Sequence, residues 1–149
     1  MKVRDIMDPS PDIIRTSDTF EHLIKILNEV KYHVVFVVDK EEKLVGIVTE
    51  GDIIKVLIPK YVAVDESLIS VMDVNYFERK CRESKNLPIN EIMSKVTFMV
   101  GEEDPIIKAA ALMVMNKIQT IPVVRNGKVV GIVPRLTLIK HITKVLKGA

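Results

Sequence analysis

The stretch Gly46-Ile47-Val48-Thr49-Glu50-Gly51-Asp52 decides the fold of this chain. Its aliphatic residues are typical of a buried strand, and Thr49 with Asp52 three positions later has the spacing of a helix capping box. The chain therefore turns from strand into helix at this point. A related stretch, Val130-Gly131-Ile132-Val133, begins 85 residues after Val45. An internal repeat of this kind indicates an architecture assembled from two similar units.

The repeat extends outward from this stretch in both directions. Toward the N-terminus, Arg4-Asp5-Ile6-Met7 resembles Asn90-Glu91-Ile92-Met93 at an offset of 86 residues. Toward the C-terminus, Ile54-Lys55 matches Ile139-Lys140 at an offset of 85, because the second copy has a shorter turn. The predicted parts of this single module are a first motif over 1–57, a linker of two short helices over 58–88 and a second motif over 89–149.

Both copies predict the same element order, β-α-β-β-α. A short extended piece (Ile13–Arg15 or Met99-Val100) leads to an acidic helix start, then to two apolar strands and a closing amphipathic helix. In the second copy Asn126-Gly127 is typical of a type I′ hairpin. One copy cannot bury its sheet alone. We therefore predict an α/β (α+β) module whose two sheets pack face to face with pseudo-twofold symmetry.

Composition narrows the function classes. The 149 residues carry 22 basic and 20 acidic side chains, mixed along the chain, so no basic surface for nucleic acid is indicated. Cys81 is the single cysteine, which excludes an intrachain disulfide and favours a reducing compartment. The N-terminus lacks the apolar core of a signal peptide, and the apolar runs are too short to span a bilayer. We expect a cytoplasmic protein that binds neither nucleic acid nor membrane.

The motifs, in this order and occurring twice, resemble the cystathionine-β-synthase (CBS) family. The stretch 46–52 is similar to the family's strand-to-helix signature, and Gln119-Thr120-Ile121-Pro122-Val123-Val124 is similar to its proline-containing second strand. The resemblance implies a tandem pair, or Bateman module, with two clefts for AMP, ADP, ATP or S-adenosylmethionine. It also implies face-to-face homodimers that regulate an enzyme or transporter, as in energy sensing.

The candidate ligand contacts follow from side-chain chemistry and from the resemblance. An ionised Asp52 is a two-oxygen acceptor suited to adjacent ribose hydroxyls, and Thr49 at the helix start suits a phosphate. The resemblance adds Ile13, Ile14 and Thr16 as the adenine wall. It also adds His33 as a phosphate contact, although a solvated histidine at the core edge is the commoner role.

The second copy departs from the signature. Pro134 replaces Thr49 and Thr137 replaces Asp52, so this copy offers neither the hydroxyl nor the anionic acceptor. Only Arg135 remains there as a phosphate contact. We therefore predict one ligand site per chain.

Two other readings of the sequence remain open. Asp52 can serve the helix start alone, and the repeat can be a ligand-free dimerisation scaffold acting through protein partners. An accessory role on DNA is disfavoured by the charge. The chain has no Walker loop, nucleophile elbow or ordered Cys/His cluster, so we predict no enzyme, no metal and no required cofactor.

Overall fold

The computed structural model describes residues 1–148, and for Ala63 the backbone alone. The strands are β1 (Ile13–Arg15), β2 (Val34–Val38), β3 (Leu44–Thr49), β4 (Thr120–Arg125) and β5 (Lys128–Pro134). The α-helices are α1 (Phe20–Leu27), α2 (Glu50–Leu57), α3 (Lys60–Val64), α4 (Tyr76–Glu83), α5 (Ile106–Asn116) and α6 (Arg135–Leu146). Short 3-10 helices occur at Val3–Asp5, Glu66–Val71 and Ile89–Glu91.

The first sheet has the order β1-β2-β3, with β1 parallel and β3 antiparallel to β2. Every residue of β2 is buried, as expected for a strand covered on both faces. One face, carrying Val35 and Val37, packs against α1 and α2 around Leu23 and Ile53. The opposite face, carrying Val34 and Phe36, packs against Ile132 of the second sheet. The predicted packing of sheet on sheet is therefore confirmed.

Within residues 1–148, the second sheet holds only β4 and β5, which is a correction to the predicted three strands. Asn126 and Gly127 both have positive φ in the hairpin, as their sequence predicts. The extended piece at Met99-Val100 is reduced to a single bridge, in which Val100 N–H donates to Pro122 O at 3.1 Å.

Proline explains the lost strand. In the first motif, Phe36 N–H donates to Asp12 O at 2.9 Å and helps to hold β1 against β2. Pro122 occupies the equivalent position, 86 residues later, and has no N–H to donate. The second copy therefore lacks one of the bonds that would have extended its pairing.

Each motif is completed by the segment that precedes the other one. We call residues 1–8 the first lead-in and residues 88–94 the second lead-in. Val3 of the first lead-in is fully buried in the core of the second motif, beside Val100 and Val133. Ile89 and Ile92 of the second lead-in lie in the core of the first motif. The lead-ins are thus exchanged between the motifs.

Backbone hydrogen bonds fix this exchange symmetrically. Asp8 and Ile132 exchange two bonds of 2.9 Å, and so do Ser94 and Ile47. Asp8 corresponds to Ser94, and Ile47 to Ile132, at the two repeat offsets. The pseudo-twofold relation therefore includes the lead-ins as well as the sheets.

The linker contains two α-helices, α3 and α4, with the 3-10 helix between them. It exposes several large apolar side chains; Val64 and Val74 are 89% and 91% exposed. Across residues 1–148, none of the helices combines the length and apolar character that a bilayer crossing requires.

Candidate ligand-binding cleft

Thr49 and Asp52 form the capping box that their spacing predicts. Asp52 N–H donates to Thr49 Oγ1 at 3.4 Å, and Thr49 N–H donates to Asp52 Oδ2 at 2.9 Å. The box ends β3 and begins α2 with Glu50. The side chains of both residues are therefore held at the mouth of a helix, where the helix dipole favours negative charge.

The Asp52 carboxylate also reaches across to the second lead-in. Its Oδ1 accepts a hydrogen bond from Ser94 Oγ at 2.6 Å, and its Oδ2 accepts another from Thr49 Oγ1 at 3.2 Å. An ionised carboxylate has about four acceptor positions. Asp52 can therefore cap the helix and still accept a hydrogen bond from another molecule.

A cavity of about 450 Å³ opens at this point between the two motifs. Three of the predicted site residues line it: His33, Thr49 and Asp52. The second motif contributes Ser94 and residues 117–120, among them Lys117. Half-buried aliphatic side chains, Ile47 and Ile118, supply apolar surface. The size falls in the range of small-molecule sites, which combine apolar walls with a few polar groups.

His33 stands at the entrance to β2 in a left-handed conformation, with φ of 57°. Its side chain is 61% exposed, and its Nδ1 lies 3.7 Å from Glu50 Oε2. The imidazole is therefore accessible from the cavity and borders the first turn of α2.

The other three predicted contacts are not brought to this cavity. Ile14 is 2% exposed and belongs to the core of the first motif, and neither Ile13 nor Thr16 lines the cavity. The register gives the reason. β1 begins opposite Phe36 and runs toward Val38, whereas the cavity lies at the Val34 end of β2. The apolar surface comes instead from Ile47 of the first motif and Ile118 of the second.

The second cleft is smaller, about 290 Å³, and Pro134 and Arg135 line it. Its helix start differs from that of α2, because Pro134 provides no side-chain cap. The first amide of α6, that of Arg135, already donates to Gln119 O at 2.8 Å. Thr137 does not line this cavity.

Tyr32 separates the two clefts and lines both. Its hydroxyl donates to Asp8 Oδ2 at 2.9 Å, and Lys31 Nζ lies 3.3 Å from the same oxygen. The backbone N–H of Ser10, followed by Tyr32 and Lys31, lowers the pKa of Asp8 below its ordinary value. Asp8 is the repeat equivalent of Ser94, so the equivalent position carries a carboxylate near the second cleft and a hydroxyl in the first.

Sequence reasoning missed Ser94 and Lys117. The repeat could have indicated both residues, because it aligns Ser94 with Asp8 and Lys117 with Lys31. What it does not reveal is that each lead-in crosses to the opposite motif, which is what brings Ser94 to Asp52.

A third cavity, about 660 Å³, forms an apolar groove between α5 and α6. Ile107 and Val114 of α5 line it and are 71% and 80% exposed. Ile139 and Ile142 of α6 also line it and are about half exposed. An exposed apolar surface of this kind marks an interaction site more often than ordinary surface does.

Comparison with known proteins assigns these features to a family. The family model described as CBS domain matches residues 3–59 and 89–144. The uncharacterized protein MJ1426 of Methanocaldococcus jannaschii is 27% identical over 94% of this chain and 90% of its own length. The solved CBS domain of a membrane protein from Sphaerobacter thermophilus is 30% identical, with a TM-score of 0.73 over 94% of this chain and 86% of that chain.

A further solved structure carries ligands. It is the CBS domain pair of protein MJ0100 in complex with 5′-methylthioadenosine and S-adenosyl-L-methionine. It is 26% identical to this chain, with a TM-score of 0.70 over 95% of this chain and 99% of that one.

Proposed function

The chain belongs to the CBS domain family, and from that premise we propose that it is a regulatory module that binds an adenosine-containing nucleotide. The ligand occupies the 450 Å³ cleft between the motifs. The observation that carries the proposal is Asp52, a two-oxygen acceptor fixed at the mouth of α2 inside a cavity of ligand size. The complex of the related MJ0100 pair with two adenosine compounds supports the same ligand class.

The contacts follow from the arrangement of the cleft. The adenine ring lies against Ile47 and Ile118, whose apolar surfaces face the cavity from opposite motifs. The two ribose hydroxyls donate to the carboxylate of Asp52. The 5′ group points to the start of α2, where Thr49 Oγ1, the first backbone amides and His33 meet a phosphate such as that of AMP, ADP or ATP.

Regulation then rests on the position of the cleft between the motifs. A ligand that touches both stabilises the arrangement in which both sets of contacts are made, and it shifts the population only by its preference for that arrangement. We assign the module no catalysis of its own and place it in the cytoplasm, where it reports adenine nucleotide levels to a partner enzyme or transporter.

We further propose that the module forms a homodimer through the groove between α5 and α6. The occupant is the same face of a second copy, because an isologous interface buries the exposed aliphatic residues of both chains at once. Ile107, Val114, Ile139 and Ile142 supply this surface.

Calorimetric titration of ligand-free protein against AMP, ADP, ATP and S-adenosylmethionine tests the ligand assignment. We expect saturable binding of one molecule per chain. Asp52→Ala weakens it by about tenfold or more, because a hydrogen bond to a charged group is lost. Asp18→Ala, which removes an acidic residue that borders α1 outside the cleft, is the control for a general loss of stability.

A ligand-free scaffold is the second candidate, favoured by the fact that each Asp52 oxygen already has protein donors. Absence of binding for all four compounds, with a dimer still formed, would establish that alternative. Equal affinity of parent and Asp52→Ala for a bound nucleotide would show that the ribose is held elsewhere.

A further inference from the structure

Two lysines occupy equivalent positions in the repeat and have different surroundings. Lys31 follows α1 and Lys117 follows α5, 86 residues later. Lys31 Nζ lies 3.3 Å from Asp8 Oδ2 and 5.3 Å from the centre of the Tyr32 ring. Its charge is therefore matched by a carboxylate of the protein.

Lys117 has no such partner among the residues that the structure describes. The position equivalent to Asp8 is Ser94, a neutral residue whose hydroxyl is bound to Asp52. Within residues 1–148, no carboxylate lies in salt-bridge distance of the Lys117 ammonium group. The first cleft thus contains a cation that the protein leaves unmatched.

The backbone holds Lys117 at the cleft. It ends α5 in a left-handed conformation, with φ of 55°, and the N–H groups of Lys117 and Ile118 both donate to Met113 O. The residue lines the same cavity as Thr49 and His33, and it also lines the groove between α5 and α6. The second motif therefore contributes a basic residue to the cavity that the start of α2, in the first motif, also lines.

Two carboxylates line the same cavity, those of Asp52 and Glu50, and within residues 1–148 neither lies in salt-bridge distance of the Lys117 ammonium group. Asp52 is engaged with Thr49 and Ser94, and Glu50 lies beside His33 at 3.7 Å. A ligand that places negative charge at the 5′ position gains from Lys117 and from the dipole of α2. A neutral thioether at that position gains nothing from either.

We propose that Lys117 is a specificity-determining residue that makes this cleft select adenosine ligands with a 5′-phosphate over those with a neutral 5′-thioether. The inference rests on the proposed function, since it concerns the same cleft. The ligand class is that of the phosphorylated nucleotides. The first motif holds the ribose through Asp52, and the second motif selects the 5′ group through Lys117.

The test compares AMP with 5′-methylthioadenosine, which share adenine and ribose and differ at the 5′ group. Calorimetric titrations use the parent chain, Lys117→Gln, Lys117→Arg and the repeat-equivalent control Lys31→Gln. We expect the parent to bind AMP more tightly than the thioether. Lys117→Gln weakens AMP binding by about tenfold or more and thioether binding by less than about twofold.

The other variants complete the pattern. Lys117→Arg keeps the charge and retains AMP binding to within about threefold, and Lys31→Gln leaves both ligands within about twofold of the parent. The melting temperature of each variant confirms that it is folded.

Two failures are distinguishable. If the parent binds neither of these ligands and none of ADP, ATP and S-adenosylmethionine, the proposed function falls and the inference falls with it. If the parent binds both but Lys117→Gln weakens them equally, or weakens neither, the cleft is a nucleoside site and Lys117 does not set its specificity.

Discussion

The hydroxyl of Ser94 donates to Oδ1 of Asp52 at 2.6 Å, which joins the second lead-in to the helix start of the first motif. This bond occupies one acceptor position of the residue that we assign to the ribose. A ligand that uses the same oxygen competes with Ser94. We therefore expect ligand binding at Asp52 to be coupled to the segment that connects the linker to the second motif.

Ser94→Ala tests that competition. Loss of the bond should lower the free energy of unfolding of the ligand-free protein by about 1 kcal/mol. Affinity for the nucleotide should rise severalfold, because the ribose no longer displaces a hydroxyl. Calorimetry and urea unfolding measure the two effects. A fall in affinity comparable to that of Asp52→Ala would show that Ser94 is itself a ligand contact.

Asp8→Asn tests the network around Tyr32. The folded-state pKa of Asp8 lies below its ordinary value of 3.8, so its ionised form stabilises the fold above about pH 4. This contribution is lost as the pH falls through the lowered pKa. We expect the variant to be less stable than the parent by about 1 kcal/mol at pH 7, and by less near pH 3.

Urea unfolding at both pH values checks this expectation. Asp12 must be considered in the comparison, because burial raises its pKa and the Asp8 charge adds to the rise. A difference in stability that stays constant from pH 7 to pH 3 would mean that the charge of Asp8 contributes nothing.

Val114→Glu tests the dimer. Val114 is 80% exposed on α5 and lines the groove, so the substitution should leave the monomer fold intact. Two like charges brought together at an isologous interface should convert the dimer to a monomer, as measured by sedimentation velocity. Val74→Glu, at a linker position that is 91% exposed, is the matched control and should remain dimeric. A dimeric Val114→Glu would place the interface elsewhere.

The architecture could be predicted well from the sequence because its signals come from residues close together in the chain and occur in both copies. The capping box at Thr49, the hairpin at Asn126-Gly127 and the strand and helix periods all depend on neighbours close in the chain. The prediction of a third strand in the second sheet was wrong, and the reason, Pro122, is visible in the sequence. Pro122 cannot supply the N–H that Phe36 donates to Asp12 O in the first motif.

The site could be predicted only in part. Thr49, His33 and Asp52 lie on elements of one motif that are joined by short connections, and they do line one cleft. The opposite wall comes from the second motif, and the crossing of the lead-ins determines which residues form it. Gly46 is an example of a contact between motifs that the sequence does not reveal. It is part of the signature, and the structure shows that a Cβ there would overlap the side chain of Met93 in the second lead-in.

The exchange of the lead-ins ties the order of folding to the order of synthesis. The core of the first motif is incomplete until Ile89 and Ile92 have left the ribosome. The N–H of Val3 cannot donate to Asp104 O until still later in synthesis. Contacts over such sequence separation slow folding. An emerging first motif therefore presents an open groove shaped for a second lead-in, and on crowded polysomes we expect it to be vulnerable to capture of that segment from a neighbouring nascent chain.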